Sequence, residues 1–166
     1  LAIVYRTMRR DDEARLAYDS ALVADPTFAA AYAYRSRLRL GLGDTAGARA
    51  DAEDAARFGA AGEPYYGLVP RAVVAAATGD TAAARGLMDR ALAAFGTRPV
   101  SPISSRMLAG GLMAVGRPAQ ALDYLERVEP RGHVFWFTLQ DPIFDAVRAE
   151  PRFQRLLDAT RPQGAR

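Results

Sequence analysis

Cysteine, lysine and asparagine are absent from the 166 residues, and the chain has one histidine, His133, and one tryptophan, Trp136. Without cysteine there is neither a disulfide nor thiol chemistry. One histidine leaves no second ligand for a two-histidine metal site and no spare parts for a charge-relay network. No apolar run approaches the roughly 20 residues of a membrane span, and no stretch reads as a secretion leader. A soluble, cytoplasmic chain without a membrane partner is therefore expected. Every one of the 22 basic residues is arginine, set against 19 acidic ones for a net charge of +3. Acidic residues are interspersed with the arginines nearly throughout, and no stripe of arginine marks one face, so no nucleic-acid partner is expected. The arginine and alanine excess is explained by a GC-rich coding bias more simply than by selection for anion binding.

What is present is a spacing. In Asp11 to Pro26 the residues Ala14, Tyr18 and Ala21 recur at helical intervals, and Pro26 marks the stop. Three carboxylates, Asp11 to Glu13, suit the positive end of that helix. A second unit follows, with Tyr32, Ser36 and Leu40 in one helix and Ala48, Ala52 and Ala55 in the next. They are separated by Gly41-Leu42-Gly43-Asp44-Thr45, in which Gly43 ends one helix and Asp44 or Thr45 caps the other. Gly79-Asp80-Thr81 repeats that turn 36 residues later, and Gly116-Arg117-Pro118 repeats it 37 residues after that. Ala72, Ala84, Met88 and Ala91 surround the third turn; Ala109, Ala121, Leu125 and Val128 surround the fourth. Pro70 is expected to kink its helix or to delay the helix start to about Val69. After Pro130 the pattern gives way to His133-Val134-Phe135-Trp136-Phe137, then to two short helices opened by Pro142 and Pro151, with Asp141 as N-cap of the first.

These matches resemble the tetratricopeptide repeat, a helical hairpin of about 34 residues. Its small and closing positions fall on Ala14, Tyr18, Ala21 and Pro26, then on Ser36, Ala48, Ala52, Ala55 and Ala60, and on their counterparts in the later units. The resemblance implies an all-α fold, a right-handed α-solenoid of about four hairpins with a C-terminal helical cap. The units would span 1–28 (partial), 29–62, 63–99 and 100–130, followed by a capping segment at 131–160 and a tail at 161–166. Opening in mid-repeat, the chain reads as the C-terminal repeat segment of a longer bacterial regulator.

The resemblance also implies a concave groove lined by the first helix of each hairpin. Carried onto this chain it holds Arg6, Ala33, Arg37, Leu40, Tyr66, Val69, Val73, Ala76, Ile103, Arg106 and Met113. Such a lining suits a peptide with an apolar anchor and a carboxylate, with arginine supplying the contact. The family's clamp for acidic chaperone tails uses lysine and asparagine, which this chain lacks. No acid, base and nucleophile converge, and Gly41-Leu42-Gly43 has no preceding strand to make it a phosphate loop. The expectation is a non-catalytic, cofactor-free scaffold for a protein or peptide partner; the alternatives are a self-association module or the regulatory C-terminal part of a larger bacterial signalling or transcription-regulating enzyme. Asp141 and Asp145 read as a cap and its neighbour rather than as paired catalytic carboxylates. His133 reads as a loop residue with a packing or capping role, and Phe135, Trp136 and Phe137 are expected to be buried in the cap.

Overall fold

A computed structural model describes residues 1–59, 62–129 and 132–162. The expected closing residues Ala60 and Pro130 and the end of the tail, 163–166, lie outside the described residues. Everything regular among them is helical: α1 (Ala2–Thr7), α2 (Asp11–Ala24), α3 (Ala29–Gly41), α4 (Thr45–Gly59), α5 (Tyr65–Ala77), α6 (Thr81–Phe95), α7 (Pro102–Ala114), α8 (Pro118–Glu126), α9 (His133–Leu139), a 3₁₀ turn (Pro142–Val147) and α10 (Pro151–Thr160).

The turns explain the pairing. Gly43, Gly79 and Gly116 carry φ of 83°, 86° and 75°, the left-handed conformation that reverses the chain at little steric cost. Asp44 Oδ1 accepts from the Gly47 N–H at 2.8 Å and Asp80 Oδ1 from the Ala83 N–H at 3.0 Å, so an aspartate starts the second helix in both middle hairpins. The turn between α1 and α2 uses the same conformation without a glycine: Arg9 holds φ 58°.

From α1 to α8 each helix packs on the next in sequence, and α3, α5 and α7 also touch one another in succession. The small-residue register forms the seams: Ala14, Ala48, Ala52, Ala55, Ala84, Ala91 and Ala121 are all buried. Such residues contribute little apolar area, but they let helix axes come as close as about 8 Å. Ser36 belongs to the same seam, and its hydroxyl donates to the Ala48 carbonyl at 2.7 Å. Gly67 has the tightest seam, because a Cβ there would collide with the Ala56 backbone.

Pro70 does not delay its helix, since α5 starts at Tyr65, five residues earlier. Proline removes the N–H that would bond the Tyr66 carbonyl, and the burial of Tyr65, Tyr66, Val69 and Val73 along this helix offsets the loss.

The C-terminal segment divides its contacts. Helix α10 lies on α8 and α9, with Arg152 bridging to Glu126 and Asp123. Helix α9 packs on α7 and also reaches α1, and Arg9 donates to Asp145 at 2.6 Å. His133 opens α9 instead of lying on a loop. Of the three aromatics expected inside, only Phe135 is fully buried; Trp136 is partly so, and Phe137 remains 43% exposed. A helix docked along one side must leave its opposite side out, and Val134 and Phe137 are on that side.

Candidate functional site: an arginine pair beside an apolar cavity

Helices α3 and α7 face each other across α5, and side chains bridge them directly. The Tyr34 hydroxyl donates to the Ile103 carbonyl at 3.2 Å; one turn along, Arg37 Nη2 makes a long bond of 3.5 Å to the Met107 carbonyl. Gly110 makes room for the Arg37 guanidinium, because a Cβ there would stand 2.6 Å from Nη1. Gly111 does the same for α5, since its Cβ would stand 2.6 Å from Val69 Cγ1.

Arg106 is 2% exposed, with its guanidinium 5.5 Å from the centroid of the Tyr34 ring. It pairs with Asp141, which is equally buried. Asp141 also does what its position before Pro142 predicts: Oδ1 accepts from the Ile143 N–H at 2.9 Å, capping the 3₁₀ turn. Its two oxygens therefore have separate tasks, one local and one across the fold. Asp145 instead meets Arg9 and Arg148, so the two aspartates form no carboxylate pair.

The arginines outnumber the carboxylate. Arg106 Nε and Nη1 and Arg37 Nη1 are enclosed and have no hydrogen-bond partner. Arg37 is partly exposed as a residue, yet its Nη1 is sealed. Burial pushes its guanidinium down from the usual range, opposed by the attraction of Asp141. Burial also raises the neighbouring phenols, Tyr18 to about 12 and Tyr34 further.

Two apolar cavities adjoin Tyr34 and Ile103, and Arg37 lines neither. One of about 310 Å³ is walled by Ile3, Val4, Tyr34, Ile103, Val134 and Phe137, with Arg106 in its lining. The other, of about 590 Å³, shares Ile3, Tyr34 and Ile103 with it and extends to Tyr18, Phe28 and Tyr66.

The expected groove residues are distributed unevenly. Ala33, Tyr66, Val69, Val73 and Arg106 are buried, while Arg37, Leu40, Ala76 and Met113 are partly covered. Arg6 is bound to Asp11 at 2.7 Å, and Ile103 alone of the set is 52% exposed. The structure thus brings Arg37, Arg106 and Ile103 to one place and spends most of the others on packing. Tyr34 and Asp141, central to this arrangement, were outside the expected set. Tyr34 carries no motif, and the role of Asp141 toward Arg106 depends on tertiary contact. Among the described residues no cluster of His, Asp or Glu is placed to hold a metal ion, and no helix is long and apolar enough to cross a membrane.

No family profile, curated protein or solved structure matches the chain.

Proposed function

We propose that this chain is a non-catalytic interaction scaffold of tetratricopeptide type, a right-handed α-solenoid of about four hairpins that binds a peptide or protein segment along its inner face. The recurring left-handed turn at Arg9, Gly43, Gly79 and Gly116 and the buried small-residue register favour the repeat reading. One observation carries the binding reading. Val4, Ile103, Val134 and Phe137, from three helices, border one cavity and stay 39%, 52%, 64% and 43% exposed. Apolar side chains gathered at one rim are what a partner's apolar anchor covers.

The test is capture of a defined partner from source lysate by the parent chain and by a Val134→Arg, Phe137→Glu double variant. Both positions are exposed, so the variant folds. Loss of the partner supports the rim as the contact; undiminished capture moves binding elsewhere. Self-association through the same rim is the second reading, and a strictly monomeric light-scattering mass removes it.

A further inference from the structure

The larger of the two cavities, about 590 Å³, lies where five helices meet: α1, α2 and α3 form most of its wall, and Tyr66 of α5 and Ile103 of α7 complete it. Its room comes from small residues. Ala17 and Ala21 on α2 and Ala30 and Ala31 on α3 leave space that longer side chains would fill. The volume is within the range of small-molecule sites, roughly 300–1,000 Å³. No charged side chain is in the lining, so an ion taken in there would lose its hydration without a counter-charge.

One polar group of this wall has nothing to bond. The Tyr34 hydroxyl donates to the Ile103 carbonyl and that of Ser20 to the Leu16 carbonyl. Tyr18 is 5% exposed, and its hydroxyl has no hydrogen-bond partner among the described residues. Buried phenols ordinarily find one. Unlike Arg37 Nη1 and the two Arg106 nitrogens, this oxygen is not enclosed by protein, and the cavity that Tyr18 lines is where a ligand can reach it. Burial pushes the phenol up to about 12, so it is protonated and a donor at neutral pH. We propose that this cavity binds an uncharged, mainly apolar small molecule with a carbonyl oxygen, which accepts from the Tyr18 hydroxyl while the apolar body lies against Ala17, Ala21, Ala30 and Tyr66. A hydrocarbon would leave the phenol unpaired, and a carboxylate would need a cation that the lining lacks.

The inference does not rest on the scaffold reading, and its test is separate. Acetonaphthone, its hydrocarbon isostere isopropenylnaphthalene and the anion naphthoate, each substituted at the same ring carbon, are titrated into the full chain by calorimetry. The ketone is expected to bind about fivefold more tightly than the hydrocarbon, the worth of one neutral hydrogen bond. Naphthoate is expected to bind more weakly than the ketone. Tyr18→Phe removes only an unpartnered hydroxyl, so the variant folds. It is expected to lose about fivefold in affinity for the ketone and none for the hydrocarbon. Ala17 is partly exposed in the cavity wall, so Ala17→Phe fills the space and is expected to abolish binding of both. Val134 and Phe137 line the other cavity, and the Val134→Arg, Phe137→Glu variant is expected to bind the ketone as the parent does, whatever becomes of partner capture. Equal affinities for ketone and hydrocarbon, ketone binding unchanged by Tyr18→Phe or by Ala17→Phe, tighter binding of naphthoate, or no binding by the parent would each overturn the proposal.

Discussion

Asp141 holds the 3₁₀ turn with one carboxylate oxygen and Arg106 with the other, joining the C-terminal segment to α7 through a single buried side chain. Asp141→Asn keeps a capping oxygen and removes the charge. The expected cost is about 3 kcal/mol, because the loss of one partner leaves a buried guanidinium uncompensated. Adding Arg106→Met to Asp141→Asn is expected to recover most of it. Urea denaturation of both variants checks this, and a double variant no more stable than the single would show that the pair acts through shape rather than charge.

Two helical glycines are expected to respond to alanine with opposite signs. At Gly67 a Cβ meets the Ala56 backbone, which cannot swing away, so Gly67→Ala is expected to destabilise by about 2 kcal/mol through overpacking. At Gly86 a Cβ meets nothing within 4 Å, so Gly86→Ala is expected to stabilise by about 0.5–1 kcal/mol through helix propensity. Thermal melts of the two variants decide it, and equal shifts would mean that α4 and α5 are less tightly apposed than Gly67 requires.

Arg9 occupies the left-handed turn position that glycine holds in the other three hairpins. Both Arg9→Gly and Arg9→Ala lose the exposed pair with Asp145, but only glycine relieves the backbone. Arg9→Gly is therefore expected to exceed Arg9→Ala in stability by about 1 kcal/mol. Chemical denaturation of the two variants side by side gives that difference directly, free of the ion-pair contribution.

Alkali is expected to unfold the chain through its buried phenols. An unfolded tyrosine ionises near pH 10, whereas Tyr18 is held at about 12 by burial. Between these values the unfolded chain binds fewer protons than the folded one, so stability is complete below about pH 10 and falls as pH rises toward about 12. Tyr18→Phe is expected to make that decline shallower. Urea midpoints across this range measure it, and an equal slope in parent and variant would remove Tyr18 as a contributor.

The hairpins were legible because their signals are local. Gly43, Gly79 and Gly116 announce turns, Asp44 and Asp80 announce helix starts, and Ala48, Ala52 and Ala55 announce a seam, each within a few residues of what it causes. Arg9 takes the same turn without the glycine, and only its place between two helices betrays it. Helix α9 was illegible because a run of aromatic and β-branched residues has no single apolar stripe to read. The expected groove positions could be assigned from the register, but which of them stay exposed could not. Whether Tyr66 or Val69 is covered depends on how closely α7 approaches, and that distance is set by Gly111, far along the chain. Arg106 is paired by a residue from another element, which no periodicity records.

The contact between Arg9 and Asp145 spans 136 positions of the chain. In an open repeat array each hairpin can form against its neighbour alone, and the ends are kinetically indifferent to one another. Here the first turn gains a partner only after residue 145 has left the ribosome. Docking of α9 and the 3₁₀ turn against α1 is then expected to come last, as a non-local step added to a set of fast local ones. An intermediate with all four hairpins formed and α9 unseated is the species that a refolding experiment is expected to trap, and Trp136 is placed to report its disappearance.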